Sequence, residues 1–228
     1  MLKKLFSIFK KNTLMDRAYK RSYEMLDLTR EMYKKSREAL RGMEDVKIDI
    51  NIRNKDREVN KYEREVRRDV FKHLAVGDVS DLSSGFALVS IIIDIERIGD
   101  FTKNMVELAL EHPGKLRGGA FEEELTKIEN AVDDEFKRTR SCFELCQENE
   151  GRKILEEFFW INKTCDRLLY SLVKEEDKSI TPGDAAALAL YIRWMKRINS
   201  HLRNITTSVV NPFDRIGFEE KEKESPSE

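Results

Sequence analysis

Apolar residues recur along this chain at intervals of three and four, with charged residues between them. From Met15 to about Met43, Ala18, Tyr23, Met25, Leu26, Leu28, Met32 and Tyr33 follow a helical period and predict a first helix. The same pattern predicts a second helix from about Ile52 to Leu74 and a third from about Asp81 to His112. Between those two lies VGDVSD, in which Asp78 or Ser80 is available as an N-cap. Pro113 with Gly114, Gly118 and Gly119 makes the strongest break in the chain. Beyond it the period predicts helices from about Phe121 to Glu148 and from about Arg152 to Glu175. A last helix opens at TPGD, with Thr181 as cap and Pro182 in the first helical position.

One stretch breaks the period. EDVKIDINIRN, Glu44 to Asn54, alternates through Val46, Ile48, Ile50 and Ile52, but a single strand in a helical chain has no partner. It reads as a linker. The tail FEEKEKESPSE is too charged and too poor in apolar residues to build a core.

Three helices on either side of a Gly-rich break suggest duplication. At an offset of 100 residues ERIGDFTKNM, Glu96 to Met105, lies over KRINSHLRNI, Lys196 to Ile205. Arg97 matches Arg197, Ile98 matches Ile198, Lys103 lies against Arg203 and Asn104 matches Asn204. The expected fold is all-α, two pseudo-symmetric three-helix bundles. Residues 1–14 form a basic amphipathic segment, 15–114 the first repeat, 119–213 the second repeat and 219–228 a charged tail.

Composition narrows the function. In 228 residues, 42 basic and 43 acidic side chains are interspersed, so no global field points to DNA or RNA. Three cysteines without a small secreted framework fit a reducing compartment, and no apolar run is long enough to span a bilayer. The expected location is the cytoplasm. In MLKKLFSIFKKN, Leu2, Leu5, Phe6 and Phe9 share one face among Lys3, Lys4, Lys10 and Lys11. That segment either docks on the body of the protein or makes peripheral contact with the inner face of the membrane.

The candidate chemistry lies in IERIGD. Glu96 and Asp100 stand four residues apart on one face of the third helix, where like charges repel. Asp56, Asn60 and Glu63 form a matching face on the second helix. Two readings remain open. The carboxylates pair with cations such as Arg57, Arg64 and Arg67, or Asp56, Asn60, Glu96 and Asp100, with Glu63 beside them, hold a metal ion through oxygen donors.

DREVNKYEREV followed by DIERIGDFTKN resembles the PhoU family of phosphate-uptake regulators, and the likeness extends over the six-helix layout from about Asp16 to Val210. The resemblance implies a non-enzymatic helical protein that binds divalent or trivalent metal in some members, with iron, zinc, manganese and magnesium as candidates. It further implies coupling of a phosphate transporter subunit to a sensor histidine kinase, and a homodimer is the default oligomer. Where the family repeats its motif, this chain has Lys196 and Ser200, so the second metal site reads as lost. Lys196 is placed to supply charge in place of the cation, and Asn162 and Asp166 on the preceding helix read as surface or packing residues. These departures, with the basic N-terminus and NPFDRIGF, also suit an accessory protein of a Pit-type or sodium-coupled phosphate transporter.

Other chemistry is thinner. Cys142 and Cys146 share a predicted helix face, with Cys165 on the next helix, and read as a buried, inert set. His73, His112 and His201 are isolated in sequence, and His201 reads as a surface or capping residue. A carboxylate-lined bundle also suits a di-iron oxidase, but the Glu-x-x-His pairs of that chemistry are missing. A plain helical interaction module explains the charge without metal.

Overall fold

The computed structural model describes residues 13–42, 51–77 and 79–218. The predicted N-terminal segment before Thr13, the alternating stretch before Asn51 and the charged tail lie outside the described residues. Within them the regular structure is helical: α1 (Leu14–Arg37), α2 (Asn51–Val76), α3 (Leu82–Glu111), α4 (Glu122–Leu145), α5 (Glu148–Glu157), α6 (Trp160–Val173) and α7 (Pro182–Val210), with single 3₁₀ turns between some of them. The layout is the six-helix one expected from the period, with a correction. The predicted fifth helix is two segments, interrupted at Phe158 and Phe159, where one apolar stripe was too uniform to reveal the break.

The ends of the helices follow their capping residues. Thr13 and Asp16 form a reciprocal capping box at the start of α1. Thr181 accepts from the Asp184 amide at the start of α7, with Pro182 behind it. At α3 the N-cap is Asp81; of the two residues proposed from the sequence, Ser80 lies in the 3₁₀ turn just before it and Asp78 lies outside the described residues.

The buried stripe of α1 corrects the sequence reading. It runs through Met15, Ala18, Ser22, Met25, Leu26, Thr29, Met32, Tyr33 and Ser36. Three small polar residues thus stand in core positions at seven-residue intervals, and each hydroxyl returns to a carbonyl of its own helix. Tyr23 and Leu28, expected inside, are only partly buried. From Glu38 to Gly42 the helix widens into a π turn. There Ala39, Leu40 and Arg41 are buried in succession, which an unbroken 3.6-residue period does not allow on one narrow face.

α1, α2 and α3 pack on one another, whereas α4, α5 and α6 each pack against α7. The halves meet where α3 lies on α7 and α1 on α4. Across the α1–α4 contact Arg30 donates twice to Asp133, at 2.9 and 3.2 Å, and the Tyr33 hydroxyl donates to the Glu129 carbonyl at 2.8 Å. The Gly-rich break is a pinned connection: Leu116 is fully buried and donates its N–H to the Leu40 carbonyl at 2.9 Å. His112 bonds Asp184 of α7 at 2.9 Å. No helix among the described residues is long and apolar enough to cross a membrane.

Candidate functional site

The carboxylates of interest sit where α2 and α3 cross closely, and Gly99 makes the approach possible. A Cβ at Gly99 would stand 3.3 Å from Val59 Cγ1 and 3.7 Å from Thr29 Cγ2, so an added methyl would press on Val59, which would have to give by a few tenths of an ångström. Val59 and Gly99 are both core positions. Asp56 and Glu63 lie about one turn on either side of Val59, and Asp100 follows Gly99 directly.

Lys103 joins the two helices. Its Nζ is 3.5 Å from Asp56 Oδ1 and 3.2 Å from Asp100 Oδ1. Burial works against its charge, but Asp100 and Asp56 outweigh it and raise the ammonium pKa. Arg97 covers the other side of the carboxylate pair, with Nη1 3.1 Å from Asp100 Oδ2 and Nε 3.7 Å from Glu96 Oε2. The balancing cations therefore come from α3 itself. Of the α2 arginines proposed from the sequence, Arg67 pairs at 2.8 Å with Glu63 of its own helix.

Glu96 registers the crowding. Burial raises its carboxyl pKa, the neighbouring Asp100 raises it further, and Glu63 and Asp56 add to the effect against Arg97. Four sequence-predicted residues, Asp56, Glu63, Glu96 and Asp100, thus share one electrostatic field. Asn60 gives its amide nitrogen to the Asp56 carbonyl of its own helix at 2.9 Å. Among the described residues no three His, Cys, Asp or Glu side chains stand at the spacing of a metal cage. The donor set is all oxygen, which suits hard cations, and Lys103 supplies a positive charge between Asp56 and Asp100.

The second repeat builds the corresponding face with other chemistry. Lys196 Nζ lies 2.5 and 2.6 Å from the two oxygens of Asp166, and Asn162 donates to Ser200 Oγ at 3.1 Å. Asn162 and Asp166, expected at the surface or in packing, are bonded to α7. Ser200 stands at the repeat position of Asp100 and Lys196 at that of Glu96.

Other candidates are resolved by their partners. Cys142 is buried on α4, whereas Cys146 ends the helix in a left-handed conformation with φ 49°, so the predicted shared face is broken. Burial pushes the Cys142 and Cys165 thiols up to about 12, which leaves them protonated and inert near neutral pH. His201 is no surface residue: its Nδ1 lies 2.6 Å from Asp94 Oδ1, its ring stacks on Phe101, and Asn204 bonds the same Asp94 oxygen at 2.9 Å. This cluster locks α3 to α7.

Three buried ionisable residues, Arg41, Glu129 and Glu135, are not among the sequence-predicted ones. Arg41 donates to Glu129 at 2.7 Å, to the Leu116 carbonyl at 2.6 Å and to Glu122 at 2.6 Å, while the Tyr191 hydroxyl donates to Glu129 at 2.9 Å. Glu135 is fully buried and accepts from Asn199 at 2.5 Å. Their one signal in sequence was a carboxylate at a core position of the α4 period, between Ile128 and Phe136.

Known proteins share the fold. The PhoU domain matches residues 23–109, a span that includes the carboxylate-bearing stretches of α2 and α3. No curated protein matches the sequence. The fold is similar to that of the phosphate transport system regulatory protein PhoU from Streptococcus pneumoniae, with TM-score 0.71 and 18% identity over 86% of this chain and 92% of that one. It is likewise similar to PhoU from Pseudomonas aeruginosa, with TM-score 0.71 and 20% identity over 86% of this chain and 95% of that one. Residues 23–109, with the ERIGD motif inside them, match the PhoU domain, and the fold of the chain is similar to that of PhoU proteins.

Proposed function

We propose that this protein is a PhoU-type regulator of phosphate transport that works by contact with a transporter subunit or a sensor kinase, without catalysis of its own. The observation that carries this reading is the PhoU domain over residues 23–109, which holds the acidic face of α2 and α3. That face supports a cation-dependent contact. Asp56, Glu96 and Asp100, with Glu63 and Asn60 beside them, are the residues that would hold a divalent or trivalent ion. Bound there, the ion would neutralise the face and brace the α2–α3 crossing. The ion competes with Lys103, which already bridges Asp56 and Asp100.

The regulator reading is tested by phosphate uptake in cells that lack the gene. Uptake should change on deletion, in phosphate-rich or phosphate-starved medium, and return with the wild-type gene. Uptake identical to wild type in both media would sink the proposal.

A further inference from the structure

The second repeat carries the cation of the first without its acids. By the 100-residue offset Arg203 stands where Lys103 stands, and Ser200 stands where Asp100 does. On the facing helix Asn162, bonded to Ser200, takes the place that Asp56 has beside Asp100. Lys103 is held between two carboxylates. Arg203 instead donates to the Leu155 carbonyl at 2.6 Å, and its guanidinium lies 5.6 Å from the centre of the Phe159 ring.

Arg203 opens onto a cleft of about 660 Å³, a size typical of small-ligand sites. α7 supplies its floor with Ser200 and Arg203, α5 adds Arg152, and α6 adds Asn162. Phe159, at the interruption between α5 and α6, and Phe218 are among its apolar lining. The wall at Phe218 is tied in place: the Gly217 N–H donates to Thr207 Oγ1 at 2.7 Å, and Asn211 holds the Phe218 carbonyl at 2.8 Å. Asn162 Oδ1 is a buried acceptor with no partner. Two guanidinium groups and one carboxylate, Glu156, line the cleft among the described residues, and Arg152 also lies 3.8 Å from Glu148 of its own helix. Burial pushes the Glu135 carboxyl up to about 8, against the charge of Arg203, which lowers it.

The geometry points to an anion site: the cleft between α5, α6 and α7 binds a phosphoryl group through Arg203 and Arg152. Guanidinium pairs phosphate oxygens through parallel N–H donors, which a point charge does not. The first repeat thus presents an acidic face and the second a basic one, on the same helical frame. This assignment concerns binding by the purified protein and stands whether or not the regulator reading does.

Calorimetric titration of the full chain with orthophosphate and with pyrophosphate tests it, with chloride at equal ionic strength as control. Saturable binding is expected, weakened at least tenfold in Ser200→Asp, which returns the first-repeat acid to the cleft and leaves both arginines in place. Arg152→Gln, on a partly exposed residue, should weaken it too, and circular dichroism checks that both variants fold. Co-sedimentation with phosphatidylglycerol vesicles separates the sources: heat with the soluble anions assigns a free ligand, and capture by vesicles alone, lost in Ser200→Asp, assigns a lipid headgroup. No binding in either arm, or equal binding by wild type and both folded variants, overturns the site.

Discussion

Replacing Arg41 by alanine should destabilise the protein by about 3–5 kcal/mol, the cost of leaving one partner of a buried ion pair behind. Arg41 is 7% exposed and Glu129 2% exposed. The arginine bonds two acids of α4 and the carbonyl of Leu116, and so ties the first repeat, the connection and the second repeat together. Its guanidinium stays charged because Glu122 and Glu129 offset the cost of burial, and Glu122 is in turn held below the usual carboxylate range by Arg41 and the Gly118 amide in spite of its own burial. Arg37, 3.2 Å from Glu129, compensates in part. The check is urea denaturation at pH 7. Adding Glu129→Gln to Arg41→Ala should recover part of the loss, because the stranded charge is gone. A loss below about 1 kcal/mol would place the pair among surface ion pairs in effect.

Glu135→Gln should change how stability depends on pH. Burial is the main cause that raises the Glu135 pKa to about 8, against the Asn199 hydrogen bond and the charge of Arg203, which lower it. In the unfolded chain the group titrates at its ordinary value near 4.5. Between these values the native state binds the extra proton, so stability falls as pH rises through the window and levels off above about 8. The slope approaches about 1.4 kcal/mol per pH unit at its steepest. Glutamine does not ionise, so the stability of the variant relative to wild type should climb from pH 5 to pH 8 and then stay constant. Asp69 and Asp133 act with the opposite sign. Asp69 is lowered by Arg17, and Asp133 by Arg30 and Lys137 in spite of burial, so their contributions are lost as pH falls below about 4. A difference between variant and wild type that is flat over pH 5 to 8 would mean that Glu135 is solvated or ionised in the fold.

The helices were legible because their apolar stripes are long and their breaks carry Pro, Gly and caps. The interruption at Phe158 and Phe159 was not, since two consecutive aromatic residues fit the stripe of either segment. The π turn was hidden for the same reason, as Ala39 and Leu40 read as ordinary helix. The face with Asp56, Glu63, Glu96 and Asp100 was legible from spacing alone, because side chains at i and i+4 share a face. That Lys103 bridges it was not, although Lys103 lies three residues beyond Asp100. Which of several nearby cations reaches across a helix crossing depends on the approach that Gly99 permits. His201 illustrates the remaining gap. Its partner Asp94 is 107 residues away, and only the α3–α7 contact brings them together.

The carboxylates of the α2–α3 face are proposed to be kept for a cation, with Lys103 as the resident one. Metal titration of the full chain, with elemental analysis of the dialysed protein, tests this most directly. Wild type should take up manganese, magnesium, iron or zinc in competition with Lys103. Lys103→Met should bind the same ion at least tenfold more tightly, and Glu96→Gln with Asp100→Asn should abolish uptake. Equal metal content in all three, or none in folded Lys103→Met, would contradict the claim and leave the carboxylates as partners of Lys103 and Arg97 alone.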